Sequence, residues 1–164
     1  MLFGRWQILI IVFCVGTNSL LAKEPNLPRA IKKDLTRQAG KWQLVTLSQA
    51  DRKKGKAVMT GDFDGNRQTD FAVYVLAGKG PPETRQRLII YLQEGTHYRR
   101  RTLSRQLPNS ENVPYRFKKG QRDYRYDTDK YFRYRYDTIG LFSEKGGVSY
   151  LYRKGRFYPV ITSD

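Results

Sequence analysis

Apolar positions along this chain recur first at helical and then at strand spacing. Leu27, Ile31 and Leu35 stand three to four residues apart between Pro28 and Gly40, while Lys32, Lys33 and Arg37 lie off that stripe. This predicts one N-terminal amphipathic helix over 28–39, with Pro28 at its first position. From residue 42 the spacing shortens. Trp42, Leu44 and Thr46 alternate in a first strand over 42–47, a charged turn covers 50–56, and a short strand over 57–60 follows. Residues 71–76 are a continuous apolar run of strand length, which predicts a central strand buried on both faces. A second such run covers 88–92 and a more polar strand 97–103. Gly78, Gly80, Pro81 and Pro82 break regular structure between the strands at 71–76 and 88–92, and residues 107–114 read as a loop. Strict alternation over 131–136, an apolar stretch over 139–142, and runs at 148–153 and 156–161 around Lys154-Gly155 complete the pattern, the last two as a hairpin. The expectation is an α+β fold: a mostly antiparallel β-sheet of about eight short strands with one helix, in one domain over 23–164.

Composition changes this picture little, but charge and the N-terminus change it a good deal. The chain has 164 residues, 39% hydrophobic, 13% aromatic and 28% charged, enough for one modest core and too apolar for disorder. Residues 1–22 carry Arg5, an apolar block from Ile8 to Gly16 and a polar passage ending at Ala22, the layout of a secretory signal peptide. The block is shorter than the ~20 residues of a membrane span. Phe13 before Cys14 argues against lipoprotein processing. Cleavage after Ala22 removes Arg5 and the lone Cys14, leaving 30 basic against 15 acidic residues, a net +15, and no thiol or disulfide chemistry. The expected location is periplasmic or extracellular. Such an excess of positive charge suits an anionic cell-envelope polymer, a lipid surface or an acidic protein, and export argues against nucleic acid.

The stretch Gly61 to Val75, GDFDGNRQTDFAVYV, holds the densest candidate chemistry. Asp62, Asp64, Asn66 and Asp70 occupy relative positions one, three, five and nine, with Gln68 at seven. Oxygens on alternate residues of a tight turn can converge on a hard cation, which takes six to eight oxygen ligands at about 2.3–2.6 Å. The stretch resembles the calcium loops of FG-GAP and VCBS repeats, D-x-[DN]-x-[DN]-G-x-x-D followed by a strand. By that resemblance Asp62, Asp64, Asn66 and Asp70 are side-chain ligands, Gln68 gives its carbonyl, and Ca2+ would be a structural staple. This chain has Arg67 where those loops have glycine, and only one copy of the loop, so no propeller is implied. The competing reading is an ion-free Asx-rich turn, its carboxylates satisfied by backbone N–H groups and Arg67.

Basic residues cluster elsewhere. Arg99, Arg100 and Arg101 adjoin in a strand, which places Arg99 and Arg101 on one face and Arg100 on the other. Between Tyr115 and Tyr136, tyrosines and phenylalanines interleave with Arg116, Lys118, Lys119, Arg122, Arg125, Arg133 and Arg135. Stacking on aromatics with guanidinium contacts to an anionic chain is one reading. The other is an ordinary half-buried strand, with Phe132, Tyr134 and Tyr136 inward and Arg133 and Arg135 in water. His97 is the only histidine, and no nucleophile, zinc or phosphate-loop motif is present. The sequence therefore points to a non-catalytic exported binding or structural module. A small carbohydrate-active hydrolase using paired carboxylates is the alternative, and a protein whose charge serves solubility alone a third. Oligomeric state is not readable from the sequence.

Overall fold

A computed structural model describes residues 26–79, 81, 85–104, 112–143 and 146–163. Residues 1–22, the predicted leader with Arg5, Cys14 and Ala22, lie outside the described residues. So do Glu24, Glu83, Glu111, Glu144 and most of the loop predicted over 107–114.

The predicted helix is α1, Arg29–Ala39. Pro28 sits just ahead of it at the N-cap rather than inside it, and Gly40, at φ 66°, ends it by returning its N–H to the Thr36 carbonyl. Ile31 and Leu35 are fully buried, each contributing about 1.5–3 kcal/mol by leaving water. Asp34 anchors the same helix sideways. It accepts from the Tyr91 hydroxyl at 3.1 Å and pairs with Arg37 at 2.7 Å.

Among the described residues eleven strands form where about eight were expected, and two helices where one was. The charged turn over 50–56 is in fact a short helix, α2, Gln49–Lys54. Ser48 caps it by accepting from the Asp51 N–H at 3.1 Å, the one capping signal in that segment. The first strand stops early, as β1, Trp42–Leu44. Then come β2, Val58–Gly61, and β3, Asp70–Ala77. Next are β4, Gln86–Glu94, and β5, His97–Ser104. All pair antiparallel in one sheet, where β4 takes one side of β3 and β1 and β2 share the other end to end.

A second antiparallel sheet has the order β11-β10-β9-β6. Its strands are β6, Val113–Phe117; β9, Thr138–Ser143; β10, Gly146–Arg153; and β11, Arg156–Ser163. The β10–β11 hairpin turns at Lys154 and Gly155, both at positive φ, as the sequence suggested. Between β6 and β9 the chain makes a separate two-stranded ribbon of β7, Arg122–Arg125, and β8, Lys130–Arg133.

Alternate side chains of the first sheet face opposite ways and are buried on both sides. Val58, Phe71, Val73, Val75, Ile89 and Tyr91 pack under α1. Ala72, Tyr74, Leu88, Ile90 and Leu92 meet Ile139 and Leu141 of the second sheet. That double burial is why β3 reads as an unbroken apolar run: Phe71 to Val75 are all buried. The far face of the second sheet is covered in turn by the β7–β8 ribbon, through Tyr134 stacked on Phe117 at 4.7 Å.

Candidate functional site

Residues 62–69 form the loop between the paired strands β2 and β3, closed by the Gly61–Asp70 register pair. Side-chain caps of the Asx type build it, since short Asp and Asn side chains reach backbone N–H groups two or three residues on. Asp62 accepts from Gly65 N–H at 2.8 Å, Asp64 from Asn66 N–H at 3.1 Å, and Asn66 Oδ1 from Gln68 N–H at 2.7 Å. Asp62, Asp64 and Asp70 each offer a carboxylate oxygen, and these lie within 4.8 Å of one another.

Asp70 is fully buried. Its two oxygens accept from Phe63 N–H and Gln93 N–H, each at 2.7 Å, so it ties the loop to the end of β4. Burial, with some repulsion from Asp64 and Asp62, pushes its carboxyl up to about 6 against those two hydrogen bonds. Asp64 is raised as well, by burial first and by the charge of Asp62. Three carboxylates this close suit a hard divalent cation, which would offset their mutual repulsion. Asp62, Asp64 and Asp70 are the carboxylates that would hold it.

Backbone geometry at the loop's sixth position also fits. Arg67 stands at φ 67°, in the left-handed region that favours glycine. Gly65 is left-handed too, at φ 85°, and a Cβ there would lie 2.1 Å from a ring carbon of Tyr136. The amide side chains of the loop reach outward to the β4–β5 turn: Asn66 Nδ2 donates to the Gln93 carbonyl at 2.7 Å, and Gln68 Oε1 accepts from Gly95 N–H at 2.9 Å. Asp137, just ahead of β9, supports the loop from the side of the second sheet. It accepts from Asp62 N–H at 3.3 Å and from Lys119 N–H at 3.0 Å. Nothing local in the sequence signals a contact across 75 residues.

The eight basic candidates fall on different elements. Arg99 is half-buried, pairs with Glu94 at 2.7 Å and donates to the Tyr152 hydroxyl at 3.2 Å. Its charge partly opposes the rise at Asp64, which places it near the acidic loop. Arg101 donates to the Arg100 carbonyl, and Arg116 to Thr60 at 2.6 Å across the two sheets. Lys118 and Lys119 are exposed where the chain leaves β6. Arg125 is held by both oxygens of Asp127, at 2.9 and 2.6 Å. Arg133 donates to the Gly120 carbonyl, and the Arg135 guanidinium lies 5.3 Å from the Tyr136 ring centre. Of the two arginines expected to share a strand face, Arg99 is thus turned to an acid and a tyrosine. Tyr131, 64% exposed, is the most exposed large aromatic of the stretch among the described residues, and its exposure depends on the pairing of β7 with β8, which no local pattern in β7 signals.

Compared with known protein families, with curated proteins and with solved structures, the chain matches none.

Proposed function

We propose that this chain is a non-catalytic, exported binding module whose acidic loop is closed by a structural calcium ion and whose basic exterior meets an anionic envelope partner. The observation that carries the reading is the convergence of Asp62, Asp64 and Asp70, with carboxylate oxygens within 4.8 Å of one another. The likeness of the loop to FG-GAP and VCBS loops belongs to the same reading, as does the left-handed backbone at Arg67 where those loops carry glycine.

Calcium here stabilises rather than reacts. Its binding would relieve the burial of Asp70 and lock the loop against the β4–β5 turn and Asp137, so that both sheets keep one relative placement. Charge supports the second half: Arg37, Arg99, Arg100 and Arg125 are engaged in ion pairs, while Lys118, Lys119, Arg122 and Lys130 are exposed outside those pairs, and a polyanion would gain from several such cations at once.

Melting of the mature protein in millimolar calcium and in chelator tests the loop. Calcium should raise the Tm of the natural protein and leave Asp64→Ala unchanged. Identical melting of the natural protein in both conditions would refute the calcium half of the reading.

A further inference from the structure

The β7–β8 ribbon presents two unlike faces. Asp123 and Phe132 turn inward: Asp123 accepts from the Tyr134 hydroxyl and Phe132 packs on the Tyr134 ring at 5.0 Å. Tyr134 in turn reaches Ser149 at 2.9 Å, and Ser149 reaches Thr162 at 3.0 Å, so this face is fixed to the second sheet by a buried polar chain. The outward face then holds Arg122, Tyr124, Tyr131 and Arg133, with no carboxylate among them. Tyr124 meets Tyr131 edge-on at 5.0 Å and meets Tyr126 likewise at 5.0 Å. Tyr131 is 64% exposed and Tyr126 45%, and the N–H of Tyr126 reaches the carbonyl of Ile161, itself 54% exposed. Three of the four large apolar side chains exposed among the described residues therefore adjoin here.

The ladder carries a second, independent sign. Arg122 is directly opposite Arg133, and Arg125 directly opposite Lys130. Like charges in direct register destabilise a strand pair, and both like pairs occur within a ladder only four residues long. The inner pair is relieved by Asp127 on Arg125. The outer pair has no acid. Arg122 instead lies over the Tyr131 ring, its guanidinium carbon 3.9 Å from the ring centre. A cation over a ring keeps its charge and its N–H groups, which a carboxylate from solution can use.

We propose that this outward face binds an acidic polysaccharide, with Tyr131 and Tyr124 stacked against the apolar faces of sugar rings and Arg122 and Arg133 on the carboxylates. Rows of side chains on one strand face repeat at about 7 Å, which sets the arginine row beside the tyrosine row. Tyrosine rings also bring a hydroxyl to the edge of the stacking surface, matching a ligand that has hydroxyls beside its apolar face. The choice of a polysaccharide over single-stranded nucleic acid, which could use the same rings and cations, rests on the exported reading above.

Titration of the mature protein with polygalacturonate oligosaccharides, followed by tyrosine fluorescence, tests the site. Dextran serves as the uncharged control and a single-stranded DNA oligomer of equal charge as the competitor. The expected result is polygalacturonate binding that weakens steeply with salt, is absent for dextran and exceeds that of the DNA. Tyr131→Ala and Arg122→Gln should each lose about tenfold or more in affinity, while Lys33→Gln on α1 binds as the natural protein does. Circular dichroism melts establish that each variant is folded; if Tyr131→Ala is not, Tyr131→Leu, which keeps bulk but removes the ring, takes its place with the same expectation. Polygalacturonate binding unchanged in both site variants would overturn the location while leaving an anionic partner in place. Tighter binding to DNA would overturn the ligand class. No polygalacturonate binding by the natural protein would overturn the polysaccharide site, while the anionic-partner reading, which also admits a lipid surface or an acidic protein, and the calcium loop would stand.

Discussion

Asp62 and Asp137 hold each other across the two sheets. The Asp62 N–H donates to Asp137 Oδ2 at 3.3 Å, and the Asp137 N–H donates to the Asp62 carbonyl at 3.1 Å. Asp137 Oδ1 also accepts from Lys119 N–H at 3.0 Å. One carboxylate thus fixes the entrance of the acidic loop to the segment that leads into β9.

Asp137→Ala should strip two backbone donors of their acceptor at once. The Lys119 N–H is exposed and can turn to water, but the Asp62 N–H is half-buried; such a donor left unpaired costs about 1–3 kcal/mol, so the variant should lose at least about 1 kcal/mol in denaturant unfolding. Asp137→Asn keeps an acceptor oxygen and should lose less. Equal loss in the two variants would show that the carboxylate's charge, not its hydrogen bonds, carries the contact.

At Arg67 the prediction concerns backbone. The residue stands at φ 67°, where glycine is free of the strain a Cβ brings. Arg67→Gly should therefore be more stable than Arg67→Ala by about 1 kcal/mol, although neither variant keeps the arginine charge. Equilibrium urea unfolding of the pair in chelator reads this directly.

Gly65 combines a left-handed backbone with close packing. Its φ is 85°, and an added Cβ would lie 2.1 Å from the Tyr136 ring. Gly65→Ala should lower the Tm strongly. Adding Tyr136→Ala should recover part of that loss by removing the overlap, but not the part due to the left-handed backbone. A double variant no more stable than Gly65→Ala alone would place the whole penalty in the backbone.

Proton and calcium should compete at Asp70. In the metal-free protein its carboxyl is raised to about 6 from 3.8. The folded chain then holds that proton more tightly than the unfolded chain does. This contribution to stability is fully present below pH ~4 and is lost as pH rises through ~6, a change on the order of 3 kcal/mol. The calcium-induced rise in Tm should consequently be larger at pH 7.5 than at pH 5. In chelator, Asp70→Asn should flatten the pH dependence of stability across that window.

Much of the fold could be read from residue order. Helix α1 follows from Leu27, Ile31 and Leu35 with Gly40 as its stop, and the double burial of β3 from its unbroken apolar run. The β10–β11 hairpin follows from Lys154-Gly155. Half of the ribbon was legible: the alternation over 131–136 marks β8, which ends at Arg133, but its partner β7 did not announce itself, because Arg122–Arg125 buries little and sets like charges opposite those of β8. Nor did β6, where Pro114 suggested a loop although the strand lies at the sheet's edge, a position that tolerates proline. Within the acidic loop, spacing alone indicated which aspartates approach one another. The ties from Asp137, Gln93 and Gly95 depend on tertiary pairing and leave no local pattern.

Isothermal titration of the chelator-treated mature protein with calcium at pH 7.5 tests the central claim most directly. The account predicts binding at one site per chain that disappears in Asp64→Ala while the fold, followed by circular dichroism, survives. Absence of calcium binding by the natural protein, or binding that persists unchanged in Asp64→Ala, would contradict it.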